Sequence, residues 1–102
     1  MKNTITLDNQ KLEIDPRLAG FSINKKPSSN IDFFGHNPES DSLFFQFRNG
    51  TTYIFKGVPI DILKAAQEHE SIGSFFHAHI KGKYESEGIS ERLVIIDREE
   101  MV

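Results

Sequence analysis

At 102 residues, with 37% apolar and 26% charged side chains, the chain has the length and composition of one soluble globular domain. It has no cysteine, which excludes disulfides and thiolate metal sites, and no apolar run approaching the roughly 18 residues a membrane span needs. Its net charge of −3 lacks the basic excess of a dedicated nucleic-acid binder, so any such role rests on a local basic face. The charge runs from +2 over residues 1–30, through −1 over 31–84, to −4 over 85–102. Residues 1–14 are mixed and polar, without the apolar stretch of a secretory signal, which makes the cytoplasm the expected compartment.

Thr4–Leu7 and Lys11–Ile14 alternate around Asp8-Asn9-Gln10 and predict an N-terminal hairpin. Asp15-Pro16 offers an N-cap followed by proline, but Gly20 limits any helix there to a single turn. Residues 25–30 contain Pro27 and read as a loop. A strand is expected over about 30–36, with Ile31 and Phe33 on one face, followed by a turn containing Pro38. The strongest signal is Leu43–Phe55, two apolar runs flanking Asn49-Gly50. Asn and Gly tolerate positive φ at low steric cost, so strands at about 43–48 and 51–56 form a hairpin. Period two puts Leu43, Phe45, Phe47, Tyr53 and Phe55 on one face and Phe34, Phe44 and Ile54 on the other. Pro59 opens a helix over about 59–69, with Ile60, Leu63 and Ala66 at helical spacing. Ser71 caps a second helix whose stripe is Ile72, Phe75, Phe76 and Ile80. Leu93–Ile96 is a last short strand before an acidic end. The expected fold is α+β: an antiparallel meander with two helices on one face, plus an N-terminal hairpin and a C-terminal strand. The expected organisation is one domain over 1–102.

The order Ser28-Ser29, Ile31, Gly35, Leu43, Phe45, Phe47, Asn49-Gly50, Tyr53-Ile54-Phe55, Val58-Pro59, Ser71-x-Gly73, Phe75-Phe76, Ile80, Tyr84 resembles the KTSD domain. The resemblance covers residues 23–84, leaving 1–22 as an extension and 85–102 as a strand and acidic tail. It implies a small bacterial or phage domain, also found at the C-terminus of some lysyl-tRNA synthetases, with RNA binding suggested by that context. Three positions depart from the family pattern. Phe55 replaces the second Tyr of Tyr-x-Tyr, His36 replaces the Tyr after Gly35, and His77 replaces an Asn after the aromatic pair.

Two placements of the aromatic strand residues compete. Phe45, Phe47, Tyr53 and Phe55 either pack beneath the helices, as sheet and helix faces must, or lie exposed to stack on RNA bases. The first is favoured. Arg48, Lys56, Lys64, Lys81 and Lys83 are the candidate phosphate ligands, against the plainer reading of a solvated face. Phe34, Phe44 and Ile54 form an apolar second face that residues 1–20 or a second subunit must cover, hence a candidate interaction surface and homo-oligomer. His77-x-His79 and His69 fit no zinc spacing, and no serine carries a nucleophile-elbow sequence. No enzyme, metal or cofactor is expected. The leading function is a non-catalytic module for RNA or a nucleotide-like ligand. The alternative is a protein-interaction or oligomeric module acting as inhibitor or scaffold, and neither involves a membrane.

Overall fold

The structure, a computed structural model, describes residues 3–96; the acidic end beyond Ile96 lies outside them. In chain order the strands are β1 (Asn3–Leu7), β2 (Gln10–Ile14), β3 (Ile31–Asn37), β4 (Ser42–Phe47), β5 (Thr52–Lys56), β6 (Ser86–Ile89) and β7 (Val94–Ile96). Two helices, α1 (Ile60–Glu68) and α2 (Ile72–Phe75), lie between β5 and β6. The strands form two antiparallel sheets, ordered β3-β4-β5-β6 and β1-β2-β7. The α+β meander with helices on one face is therefore present, and the terminal segments build a second sheet against its other face.

Turn chemistry explains both hairpins. Asp8 and Asn9 each take a positive φ, 50° and 65°, so β1 and β2 are joined by a two-residue loop whose twist suits paired strands. At the central hairpin only Gly50 is left-handed, with φ 97°. Its N–H donates to Phe47 O (3.0 Å), while Phe47 N–H donates to Thr51 O (2.8 Å). The loop is thus Arg48-Asn49-Gly50, a type I turn closed by a left-handed glycine, and Asn49 contributes its side chain, accepting from Thr51 N–H at 3.0 Å. The single turn expected after Asp15 is a 3-10 turn, Pro16–Leu18, with the Asp15 carboxylate accepting from Arg17 N–H.

Strand β3 departs from simple alternation. Ile31 pairs with Phe47, but Phe33 pairs with Gln46, so one extra residue is inserted in β3. Beyond this bulge the faces exchange. Ile31 and Phe34 lie on the helix side with Leu43, Phe45 and Phe55. Phe33 takes the second face with Phe44. The expected pairing of Ile31 with Phe33, and of Phe34 with Phe44, is corrected accordingly.

The first core joins this sheet to Leu63 and Ala66 of α1 and to Ile72, Phe75, Phe76 and Ile80. Ile60, expected in the α1 stripe, is exposed at the first turn. The second core joins Phe33 and Phe44 to Leu12 and Ile14 of β2, Leu18, Leu93 and Val94, with Ile54 partly buried against it. Full burial of each such side chain stabilises by about 1.5–3 kcal/mol, so the second sheet is a substantial part of the fold. The candidate interaction face is therefore corrected: Phe34 belongs to the other core, Phe44 is fully buried, and residues of this chain cover the face.

Side-chain to backbone bonds lock these layers. Gln46, buried between the sheets, accepts from Leu93 N–H (2.9 Å) and Val94 N–H (2.8 Å) and donates to Val94 O (2.9 Å). The Lys26 ammonium donates to the carbonyls of Ala66, Gln67 and His69 and so caps the C-terminus of α1. Gly35 lets the Ser22 carbonyl cross β3, because a Cβ there would sit 1.6 Å from Ser22 O. Strand β6 is not expected from the sequence; Ser86-Glu87-Gly88-Ile89 carries one apolar residue and pairs as an exposed edge.

The Gln46 network yields a stability test. Gln46→Leu keeps the volume but strips partners from three backbone groups, each costing about 1–3 kcal/mol when left buried and unpaired. Denaturant unfolding should show a loss of about 3 kcal/mol or more, whereas a midpoint unchanged from wild type would mean water replaces the amide there.

A candidate aromatic groove beside the second helix

The second helix, expected from the Ser71 cap and the stripe of Ile72, Phe75, Phe76 and Ile80, is two pieces. Ser71 Oγ accepts from Ser74 N–H at 3.2 Å and starts α2, as its position suggests. Residues Phe76–Ile80 then widen into a π turn, closed by Lys81 N–H donating to Phe76 O (2.9 Å). Such wide turns recur at functional sites. Here the turn carries Phe76 into the sheet: its ring meets Phe45 and Phe47 at 5.0 Å and Phe55 at 5.8 Å, each edge-on.

This packing splits the aromatic set for which the sequence leaves two placements open. Phe45 and Phe55 are core, 0% and 4% exposed. Phe47 is half-buried, and Tyr53 is 37% exposed. Phe47 and Tyr53 meet edge-on at 5.8 Å. Gly88 stands opposite Tyr53 on β6, and a Cβ there would lie 3.1 Å from Tyr53 Cε1, so the glycine makes room for the ring. Together Phe47, Tyr53, Phe55, Phe76, Lys81 and Tyr84 line a groove of about 450 Å³, with His77 and Asn49 also at its wall. Its chemistry is a π-rich floor with one ammonium at the edge.

The five candidate phosphate ligands are not gathered in one place. Lys81 lines this groove. Arg48 lines a different cleft, of about 430 Å³, between β4 and β7. Lys56 at the end of β5, Lys64 on α1 and Lys83 after the π turn are exposed and line neither. The sequence signal for the groove is Tyr53 with Gly88, but their pairing depends on β6, which no sequence pattern reveals. The histidines make ring contacts rather than a cluster: His79 meets Phe75 at 4.9 Å and His69 meets it at 5.6 Å. Among the described residues, no three His, Asp or Glu side chains come together.

His36 is 1% exposed, and its Nε2 lies 2.6 Å from Val58 O. A carbonyl only accepts, so Nε2 carries the proton, while Nδ1 has no hydrogen-bond partner among the described residues. His36 thus places a donor at this position, and it ties β3 to the start of α1.

Comparison with known proteins agrees with this architecture. The KTSC domain matches residues 27–84, and the chain belongs to that family; the family resembled is KTSC, not KTSD. A KTSC domain protein from Yersinia pestis, of known crystal structure, is 33% identical, with a TM-score of 0.64, covering 68% of this chain and 97% of that one. A lysine–tRNA ligase of Nostoc sp. strain PCC 7120 is 29% identical over 73 residues, 72% of this chain but 13% of the ligase. An uncharacterized protein of Stutzerimonas stutzeri is 30% identical over 57 residues, 56% of this chain and 80% of its own length. No helix among the described residues is long and apolar enough to cross a membrane.

The split aromatic set predicts unequal effects on stability. Phe45→Ala should cost about 3–5 kcal/mol as a large-to-small core change, and Tyr53→Ala under about 1 kcal/mol as a partly exposed one. Equal losses in thermal unfolding would contradict the groove. Separately, nitrogen-15 NMR of His36 should show the Nε2–H tautomer; a proton on Nδ1 would break the assignment of the Val58 bond.

Proposed function

We propose that this protein is a non-catalytic binding module whose aromatic groove receives bases of single-stranded RNA or a nucleotide-like ligand. The observation that carries the reading is the half-open ring pair of Phe47 and Tyr53 with Lys81 at the groove edge. Exposed aromatic rings on a sheet bind any base by stacking, and a nearby cation meets the phosphate. A segment of a lysine–tRNA ligase similar to most of this chain supports the same reading. The low cationic content of the groove fits a weak, short-range contact rather than a long electrostatic footprint. A cytoplasmic location belongs to this reading. The apolar sheet face that would have favoured the alternative, an oligomeric or protein-binding module, is covered by β2 and β7 and lends it no support.

Fluorescence anisotropy with a mixed-sequence single-stranded RNA hexamer at low salt tests the proposal. Stacking on one ring contributes about 1–3 kcal/mol per base, so Tyr53→Ala should weaken binding about tenfold or more while leaving the fold intact. Lys81→Glu should weaken it further and flatten its salt dependence. Absence of binding to wild type at low salt would remove the reading.

A further inference from the structure

On the far side of the β4–β5 turn, the cleft between β4 and β7 has a floor of Phe33 and Val94 and a rim of Lys25, Arg48 and Arg92, with Asp32 as the one carboxylate among the described residues that line it. Among those residues three cations face one acid, the reverse of the charge balance of the whole chain, which is −3.

The two guanidinium groups are held by neutral carbonyls. Arg48 Nε and Nη2 donate to Ser28 O at 3.0 and 2.7 Å, and Arg92 Nη2 donates to Arg48 O at 2.6 Å. The nearest acid contact of Arg48 is long, 3.7 Å to Asp32, and Arg92 has no carboxylate partner among the described residues. Arg17 shows the contrast. It is paired with Asp15 at 2.9 Å and Glu91 at 3.1 Å, and these carboxylates, Asp15 first, hold its pKa above the usual arginine value. The charge of Arg17 is closely paired in place; that of Arg48 is oriented by a carbonyl and only loosely paired with Asp32, and that of Arg92 is oriented by a carbonyl. Lys25 adds a third, its ammonium 5.2 Å from the centre of the Phe33 ring. Guanidinium groups held in place by carbonyls and at most loosely paired with acids are preorganised for phosphate oxygens.

The cleft also connects to the aromatic groove. A shallow cavity over Ser29, Asn30, Phe47, Arg48 and Asn49 shares Phe47 and Asn49 with the groove and Arg48 with the cleft. Phe47 ends β4 and Arg48 opens the turn, so neighbouring residues line the groove and the cleft.

We propose that the cleft of Lys25, Arg48 and Arg92 is the phosphate subsite of a single path round the β4–β5 turn, so that one RNA strand stacks a base in the groove and lays its backbone over the cleft. This rests on the reading of the groove as a base-binding site.

The test is amide chemical-shift mapping of the full chain with two probes, inorganic pyrophosphate and the RNA hexamer. Pyrophosphate should shift residues 46–48 and 92–95 alone, and the hexamer should shift these together with Tyr53 and Lys81. Lys25→Gln with Arg92→Gln should abolish the pyrophosphate shifts and weaken the hexamer at least tenfold. With single strands losing about 0.7 of salt slope per phosphate contact, the double variant should lower that slope by about 1.4, while Tyr53→Ala should leave it unchanged. A hexamer that shifts only the groove, with affinity untouched by the double variant, overturns the inference and keeps the base-binding reading. Pyrophosphate shifts at the cleft without any hexamer binding overturn the single path and the base-binding reading together. Capture of an acidic peptide by the cleft in preference to the hexamer overturns the assignment of RNA.

Discussion

Strand β4 is buried on both faces, and the layering of the molecule is a consequence of that. Leu43 and Phe45 point to the helices and Phe44 and Gln46 to the second sheet, all within 1% of complete burial. A strand of that kind needs a cover on each side. The helix pair supplies one and the terminal strands the other. Most residues of β4 are apolar, but Gln46 is not, and a buried amide is tolerable only with its hydrogen bonds made. The start of β7 is therefore positioned by more than apolar contact: Leu93 and Val94 must present their backbone groups to Gln46.

Much of the architecture is legible in the residues. Period-two aromatics, Asp8-Asn9, Asn49-Gly50, Pro59 and Ser71 act through local sterics and capping, and local causes can be read from a local sequence. Features governed by pairing cannot. The bulge in β3 is defined by which residue of β4 faces Ile31 and which faces Phe33, and no property of Ile31-Asp32-Phe33 alone decides it. Strand β6 has one apolar residue and exists because β5 offers it an edge. The groove inherits both limits. Aromatic composition identifies Tyr53 and Phe47 as candidates for stacking, but their exposure depends on Gly88 across the sheet and on Phe76 reaching in from a π turn. The cleft escapes for a related reason: Lys25, Arg48 and Arg92 lie far apart in the chain, and only Arg48 stands out from sequence.

The loops are held by polar side chains gripping backbone carbonyls. Lys26 closes the end of α1, Arg48 holds Ser28, and Arg92 holds Arg48. Each bond uses a cation where a neutral donor would satisfy the same carbonyl. The structural result is a tethered loop; the electrostatic result is a positive charge kept at a fixed point on an otherwise acidic molecule. The two consequences come from the same contact, so anchoring these loops also fixes the position of three positive charges.

The pairing of β2 with β7 joins residues far apart in the chain, with Leu12 opposite Ile96. The buried residues of the helix-side core lie between Ile31 and Ile80, whereas the second core cannot close until β7 has docked. Until then Phe33 and Phe44 lack the cover of Leu93 and Val94, and β2 presents an unpaired edge. Such long-range closure is slow relative to local hairpins and helices, and exposed edges invite pairing with other chains. The hazard of this fold is therefore temporal: its most aggregation-prone surface belongs to the partly folded chain and disappears when β7 docks.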